Sequence, residues 1–435
     1  MKIRTREEIN HKIANGNAKI LTADELKSMI KNSEKPSFDD VDVVTTGTCG
    51  IMSGTAAILH IPVAEGGSFK KAKEIFLNGV EGHVGPCPNE WLSSVDLIIY
   101  GTQHSKINPD YGGGFLFKDI IKGNEINVEV ISTEGDKFTK NVTIDDMETA
   151  EMIGTRNAFK NYNSFTNPDN DENITSIFSQ PPMKGNLKEY TFSGCGDINP
   201  LQNDPNQEVI KKGTKVLLNG AEGIILGNGT RSNPEKPNLM LAADMKQMNE
   251  TYLGGFKTSE GPEVFDSLAI PIPILNEKIL ENTFLLNKDI PLPISHIKGR
   301  HLPIAKIDYG QVWTEFADER PKFNKSGCLN CEKCNVEFYC PTNAYKNKEI
   351  NEKNCFGCGV CQNVCLGKAF DMNLGSINVK INSNLTNIPI VCRESDRKRA
   401  KLLANELKEK LLNEKFKLWG EIHEIIWIFI TKKKY

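Results

Sequence analysis

The chain has 435 residues, too many for one ordinary hydrophobic core, which predicts two or three domains. Its 53 lysines and arginines nearly balance 56 aspartates and glutamates, so the charge indicates neither nucleic acid nor an acidic membrane surface as a partner. No apolar run approaches the roughly 20 residues that span a bilayer, and the N-terminus lacks the apolar core of a signal peptide. We therefore expect a soluble, cytoplasmic protein, in which 12 cysteines indicate metal or redox chemistry rather than disulfides.

The N-terminal region begins with two helix-start signals. Thr5 with Glu8 and Thr22 with Glu25 form capping boxes, in which the threonine hydroxyl and the glutamate each bond a backbone N–H of the other residue. Apolar residues at helical spacing follow both pairs. Residues 40–44 then alternate apolar and acidic side chains, which predicts a strand. Two helices and a strand are thus expected to open the chain.

Glycine-rich turns, strands and short helices continue to about residue 315. A triple glycine, Gly112, Gly113 and Gly114, leads into the helical sequence FLFKDIIK and then the strand sequence INVEVIS. Two short apolar runs around the pair Asn219–Gly220 predict a hairpin. This mixture predicts one large α/β or α+β domain over residues 1–320.

The C-terminal part is predicted to contain a small module and an extension. Residues 321–327 read as a linker at the start of a cysteine-rich module over 321–375. In the extension, residues 376–435, we expect a strand at 388–391 and an amphipathic helix at 395–413. The helix places five apolar residues on one face, which must cover the module or the large domain: Ala400, Leu403, Ala404, Leu407 and Leu411.

Eight cysteines of the module fall in two similar runs. The runs read Cys328-x2-Cys331-x2-Cys334-x5-Cys340 and Cys355-x2-Cys358-x2-Cys361-x3-Cys365. Three thiolates at this spacing wrap one corner of an iron–sulfur cube, and in two-cluster ferredoxins the fourth cysteine of each run ligates the other cluster. Zinc sites instead use C-x2-C pairs separated by about 12 or more residues. The runs therefore predict a bacterial-ferredoxin-like α+β module that carries two [4Fe–4S] clusters.

This crosswise rule, by which the fourth cysteine of each run binds the cluster of the other run, assigns four ligands to each cluster. One cluster is expected on Cys328, Cys331, Cys334 and Cys365, and the other on Cys355, Cys358, Cys361 and Cys340. The module also repeats itself, because CPTNAY after the first run matches CLGKAF after the second. The x5 gap and Leu366, which stands where proline is usual, remove no ligand but change the surroundings of the sulfurs.

Four further cysteines lie outside the module. Cys392 sits in an apolar run, IPIVCRES, which is typical of a buried core cysteine. Cys49, Cys87 and Cys195 are each close to glycines, which allow tight turns that bring a thiol to a surface or pocket. We expect at least two of these three thiols to share one pocket lined by the triple-glycine loop.

Five stretches together resemble a known family. The stretches are DVVTTGTCGIMSGTAA, DYGGGFLFKDIIKGNEI, GTRNAFKNYN, FSGCGDINPLQNDP and VLLNGAEGIILGNGT. They are similar to the archaeal and anaerobe family of L-aspartate semialdehyde sulfurtransferases, over roughly residues 5 to 315. With the cysteine module behind them, the whole chain resembles metalloproteins of methanogenic archaea.

The resemblance implies that sulfide passes through a cysteine persulfide to the aldehyde of aspartate semialdehyde, and that reduction then gives homocysteine. The fused module would supply the electrons, Cys195 is the preferred sulfur carrier and Cys49 the resolving thiol, with Cys87 as a further candidate. The triple-glycine loop and Arg156 are candidate ligand-binding residues. The family's own cysteines fall at Lys137 and near Ser53 in this chain, so its thiols have moved or it catalyses a different reaction.

Two alternatives remain open at the level of sequence. Cys49, Cys87 and Cys195 could hold a third cluster, which would raise the iron content from about 8 to about 12 per chain. Otherwise the chain is a non-enzymatic electron-transfer or cluster-delivery subunit that docks to a redox partner protein. The expected partners are a small-molecule substrate or sulfur donor and, in the second case, that protein.

Overall fold

A computed structural model describes residues 2–85, 89–160, 162–170, 172–317, 319–381 and 383–419. Cys87 and the apolar run at 425–430 lie outside the described residues. In the described ranges the α-helices are α1 (Arg6–Ala14), α2 (Ala23–Lys31), α3 (Gly113–Ile121), α4 (Pro200–Asn203), α5 (Glu277–Asn282), α6 (Asn335–Tyr339), α7 (Val360–Val364) and α8 (Arg397–Leu412). Among these helices, none is long and apolar enough to cross a bilayer.

The strands make up most of the regular structure. In chain order they are β1 (Ile20–Thr22), β2 (Val43–Ile51), β3 (Thr55–Pro62), β4 (Ala72–Leu77), β5 (Val80–Val84), β6 (Ser94–Tyr100), β7 (Ile126–Ser132), β8 (Lys137–Val142), β9 (Thr149–Asn157), β10 (Ser164–Thr166), β11 (Tyr190–Phe192), β12 (Lys215–Leu218), β13 (Ala221–Asn228), β14 (Leu239–Asp244), β15 (Gly254–Thr258), β16 (Gly261–Pro273), β17 (Pro291–His296), β18 (Pro303–Asp308), β19 (Lys322–Phe323), β20 (Tyr345–Lys346), β21 (Glu349–Ile350), β22 (Phe370–Asp371), β23 (Ser376–Ile381) and β24 (Asn384–Arg393). A mixed helix-and-sheet large domain, as the sequence predicts, is confirmed.

A large sheet forms the body of the molecule. In the described ranges it has 14 strands in the order β1-β2-β16-β12-β13-β14-β9-β3-β6-β5-β4-β7-β8, with β15 paired to β16. Its pairs are antiparallel except β1 with β2. In the central pair, β2 and β16, the partner of Cys49 is Ser267. Both strands are buried almost throughout, so residues at their centre are shielded from solvent.

A second sheet joins the C-terminal extension to the large domain. Its strand order is β18-β17-β10-β11-β24-β23, and β24 runs parallel to β11, the strand that precedes Cys195. The cysteine module therefore lies in sequence between two strands of one sheet, β18 and β23. It adds two small pairs of its own, β19 with β22 and β20 with β21.

The last helix, α8, packs on β2 and β16. The five apolar residues that the sequence places on one face are all buried, from Ala400 to Leu411. The approach is close at Gly47, where a Cβ atom would overlap the carbonyl group of Ala400. The helix thus covers the large domain, directly over the strand that carries Cys49.

Candidate functional site

Cys49 and Cys195 meet at the centre of the molecule. Cys195 lies in the loop after β11, and its Sγ is 3.4 Å from the backbone nitrogen of Cys49, which donates to it, and 3.5 Å from the carbonyl oxygen of Cys49. Both side chains are fully buried. The structure therefore brings together two of the three glycine-flanked cysteines, whereas Cys87 lies outside the described residues.

The loop that carries Cys195 is held by groups from distant parts of the chain. Gly194 has a φ of +108°, which favours glycine, and its N–H donates to the Ser395 hydroxyl at 2.7 Å. The Trp313 indole donates to the Gly194 carbonyl at 2.9 Å. Arg397 donates to the Cys195 carbonyl at 2.6 Å and pairs with Asp197 at 3.0 Å. The thiol is thus fixed by two residues at the start of α8 and one that precedes the module.

Burial sets the protonation of both thiols. It raises the pKa of Cys195 to about 11, although the Cys49 N–H and the nearby Arg397 charge act in the opposite direction. Burial also raises the pKa of Cys49 well above its usual value, and the neighbouring Asp396 charge adds to this. Both groups are therefore protonated near neutral pH, which makes them poor nucleophiles toward reagents in solution.

The triple-glycine loop packs against neighbouring backbone. A Cβ atom on Gly112 would lie 2.7 Å from the carbonyl oxygen of Gln103, and one on Gly114 would lie 2.8 Å from that of Glu263. Gly113 would overlap the carbonyl of Tyr100. The nearest neighbours of these glycines are thus backbone and proline atoms, not thiols, and close packing explains why glycine is needed there.

Arg156 and Lys137 have different surroundings. Arg156 is half-buried, with its guanidinium 4.7 Å from the centre of the Phe159 ring. Its Nε is buried without a hydrogen-bond partner among the described residues. Lys137, where the family resemblance expects a thiol, lies on β8 at the end of the large sheet and pairs with Glu129 at 2.6 Å. The structure therefore leaves Arg156 with binding capacity and places Lys137 in an ordinary surface ion pair.

The eight module cysteines surround two cavities. Each cavity has about 360–380 Å³ of space that atoms do not fill, counting its solvent-open part. One is lined by Cys328, Cys331, Cys334 and Cys365, and the other by Cys340, Cys355, Cys358 and Cys361. These are the two sets that the crosswise rule assigns from the spacing. Among the described residues, no three side chains of His, Cys, Asp or Glu are arranged to hold a single metal ion.

The two halves of the module repeat in their contacts. The Ala344 N–H donates to Cys340 Sγ at 3.2 Å, and the Ala369 N–H donates to Cys365 Sγ at 3.4 Å. Such N–H···S bonds orient and stabilise a thiolate that binds metal. Exposed Cys331 marks the first cavity as the outer one, and buried Cys355 and Cys358 mark the second as the inner one. Four thiols around each cavity, with backbone donors to sulfur, fit an iron–sulfur cube.

A polar network connects the inner cavity with the thiol pair. Asp396 is buried, and its backbone N–H donates to the Cys49 carbonyl at 3.0 Å. Its carboxylate binds both nitrogens of Arg320, at 3.0 and 2.8 Å, and also pairs with Arg399. Arg399 donates in turn to the Cys355 carbonyl at 2.7 Å. The inner cavity and Cys49 are therefore separated by one carboxylate and two guanidinium groups.

Sequence analysis missed this network and a further small cavity beside it. The cavity is lined by six polar residues, Ser53, Tyr162, Asn163, Ser193, Arg300 and Glu394, together with aromatic and apolar walls. A signal was present in the run Glu394-Ser395-Asp396-Arg397, four polar residues directly after an apolar strand sequence. Consecutive polar residues at the end of a buried strand must find partners, and here each of them does so near Cys195 or Cys49.

Comparisons with known proteins extend over nearly the whole chain. A family model described as homocysteine biosynthesis enzyme, sulfur-incorporation, matches residues 18–418. An uncharacterized protein of Methanothermobacter thermautotrophicus is 49% identical over 94% of this chain and 93% of its own length. The L-aspartate semialdehyde sulfurtransferase of Methanosarcina acetivorans is 33% identical over 70% of this chain, and the match covers 61% of that enzyme. No solved structure matches the chain.

Proposed function

This chain belongs to the family of homocysteine biosynthesis enzymes that incorporate sulfur, and we propose that it adds sulfide to the aldehyde of L-aspartate semialdehyde with electrons from its own cysteine module. In the balanced reaction, an aldehyde, H₂S, two electrons and two protons give a primary thiol and water. Two [4Fe–4S] clusters, bound by the two sets of four cysteines, would each supply one electron. The observation that carries the proposal is the short polar connection between the inner cavity and the buried pair Cys49 and Cys195.

Cys195 is the sulfur carrier in this proposal. The two thiols, which are free in this structure, first form a Cys49–Cys195 disulfide by exchange with a low-molecular-weight disulfide, which is released as two thiols. Hydrosulfide then attacks Cys195, so that the Cys49–Cys195 bond breaks, a persulfide forms on Cys195, and Cys49 leaves and takes up a proton. Transfer of the outer sulfur to the aldehyde and re-formation of the disulfide complete the cycle. The net demand is then the two electrons of the balanced reaction. The contact between Cys195 Sγ and the Cys49 backbone supports this pairing.

The burial of the pair gives the inner cavity a specific role. Because both side chains are fully buried, the surface of a second protein cannot contact them directly. Electrons instead arrive from the side of Cys355, through the space that Arg320, Asp396 and Arg399 fill. This arrangement favours an internal electron source over a second protein that docks directly at the thiols.

The proposal is tested by mapping sulfur on the disulfide form of the reconstituted protein. After anaerobic treatment with sulfide, mass spectrometry is expected to find a persulfide on Cys195, and reduced protein is expected to convert aspartate semialdehyde to homocysteine. Cys195→Ser should abolish both. A matched control, Ala269→Ser, also places a hydroxyl at a fully buried position of the large sheet and should retain both.

Two results would contradict the proposal. If no thiol of the large domain gains sulfur and neither wild type nor the Cys195→Ser variant forms homocysteine, the chain is an electron-transfer subunit. Iron analysis runs in parallel, with about 8 iron atoms per chain expected for two clusters, whereas about 12 would indicate a third cluster that includes the glycine-flanked thiols.

A further inference from the structure

The small cavity beside Cys195 contains a buried carboxylate with an unused oxygen. Glu394 is 2% exposed, and its Oε2 accepts a hydrogen bond from the Ser193 hydroxyl at 2.6 Å. Its Oε1 is buried and has no hydrogen-bond partner among the described residues. A buried polar atom without a partner costs free energy comparable to a lost hydrogen bond, so a donor is missing from this cavity.

Positive charge collects at the mouth of the same cavity. Arg300 is exposed at the mouth, with its guanidinium 4.9 Å from the centre of the Phe178 ring. Arg156 stacks on Phe159, another wall residue. Burial together with the charges of Arg231 and Arg300 lowers the pKa of Arg156 to about 10, which shows that the three guanidinium groups repel one another. An anion between them would relieve this repulsion.

The two features together select the charge pattern of a ligand. The unpartnered oxygen of Glu394 at the floor can accept from a ligand donor such as an ammonium group, and the arginines at the mouth can bind a ligand anion. Arg300 and Glu394 line the same cavity, and the positive charge of Arg300 opposes the rise in the pKa of Glu394, so the two groups are near each other. A small zwitterion with both charges on one carbon satisfies both groups at once.

We propose that this cavity is the substrate site and that it recognises an L-α-amino acid, with the α-carboxylate on Arg300 and the α-ammonium on the free oxygen of Glu394. The inference rests on the proposed function, for which it names the substrate class and the recognising residues. Ser193 connects the cavity floor to the thiol pair, because it bonds Glu394 and lies two residues before Cys195. Ser53, near which the family resemblance expects a cysteine, lines the same wall.

Direct binding of an unreactive amino acid tests the inference. The probe is L-homoserine, titrated anaerobically into the cluster-loaded chain by calorimetry. Two further probes each lack one charge: 4-hydroxybutyrate lacks the ammonium group and 3-aminopropan-1-ol lacks the carboxylate. L-Homoserine is expected to bind at least about tenfold more tightly than either, since each lost charge-assisted contact corresponds to roughly a tenfold or larger change in affinity.

Matched variants locate the binding. Arg300→Gln and Glu394→Gln are each expected to weaken L-homoserine binding at least about tenfold. The controls are Lys298→Gln, which removes one positive charge from the same turn, and Glu222→Gln, which removes an exposed carboxylate from β13. Both controls should bind like wild type. Arg300→Lys keeps the charge and should retain part of the affinity, which separates recognition from misfolding.

The outcomes separate this inference from the proposed function. If 4-hydroxybutyrate binds as tightly as L-homoserine, or if neither pocket variant changes the affinity, the cavity does not recognise an amino acid and the inference is wrong. If L-homoserine binds with the expected dependence and no homocysteine forms, the amino-acid site stands and the proposed reaction fails. If homocysteine forms with an unchanged KM in both pocket variants, the reaction stands and this site is wrong.

Discussion

Asp396 offers the sharpest test of the connection between the inner cavity and the thiol pair. We choose Asp396→Asn because asparagine is also a good N-cap, so it can still accept from the Arg399 N–H at 3.0 Å at the start of α8. The change removes the negative charge and replaces one acceptor oxygen by an amide NH₂ group, which cannot accept from the arginines. It leaves Arg320 and Arg399 facing a neutral amide in a buried place.

The size of the effect follows from the burial of this network. Asp396 is 1% exposed and Arg399 is also 1% exposed. Removing one partner of a buried ion pair costs about 3–5 kcal/mol, because the remaining charge has lost both water and partner. We expect the free energy of unfolding to fall by this amount, a large share of the roughly 5–15 kcal/mol that stabilises a typical domain.

A second buried aspartate provides the control. Asp42 is fully buried and pairs with Arg4 at 3.1 Å and Lys12 at 2.6 Å, near the N-terminus of the chain. Asp42→Asn should cost a similar free energy in anaerobic denaturant unfolding. Only Asp396→Asn should speed the alkylation of Cys49 in the native state, because residue 396 also bonds the Cys49 carbonyl through its backbone N–H, and weakening its ion pairs loosens that contact, whereas Asp42 lies in a separate network. A loss below about 1 kcal/mol, or equal alkylation of both variants, would refute the reasoning.

Two further predictions concern protonation and cluster pairing. Burial raises the pKa of Glu394 from its usual 4.5 to about 8, so the folded chain keeps this proton longer than the unfolded chain and its stability falls as the pH rises between these values. In denaturant unfolding, the free energy of unfolding of Glu394→Gln should therefore rise relative to that of wild type between pH 5.5 and pH 8. A difference that stays constant over this pH range would contradict the prediction. Cys340→Ser should damage the cluster expected on Cys355, Cys358 and Cys361, and Cys365→Ser should damage the cluster expected on the first run. Spectra in which Cys340→Ser leaves the cluster of the second run intact would contradict this pairing.

Local sequence signals predicted several elements well. The capping boxes at Thr5 and Thr22 are both present, with hydrogen bonds in both directions. The hairpin around Asn219–Gly220 is confirmed, and both residues have positive φ, as a two-residue turn of this kind needs. The strand predicted at 40–44 starts only at Val43, because residues 38–40 form a 3₁₀ turn. These elements could be predicted because neighbouring residues in the sequence determine them.

Contacts between segments that are distant in sequence could not be predicted from local patterns. The sequence assigns no individual strand between Thr55 and Tyr100, yet this stretch contains four strands of the large sheet. Glycines such as Gly82 lie inside these strands, where a Cβ atom would meet Leu97 and Ile75. A glycine that makes room for a neighbouring strand cannot be told from a turn glycine without knowing the pairing. The site residues Arg300 and Glu394 were missed for the same reason.

Residues 392–396 connect the cysteine module with the large domain. Cys392 contacts Cys358 of the inner cavity through its thiol, and the Arg393 N–H donates to the Cys358 carbonyl at 2.8 Å. Glu394 lines the small cavity, and Asp396 holds the backbone of Cys49. β24 ends at Arg393 and the chain leaves the strand there, so the residues around this point reach two sites at once. A shift of the inner cavity would therefore be transmitted within a few residues to the thiol pair and to the proposed substrate site, which gives cluster loading a direct route to substrate binding.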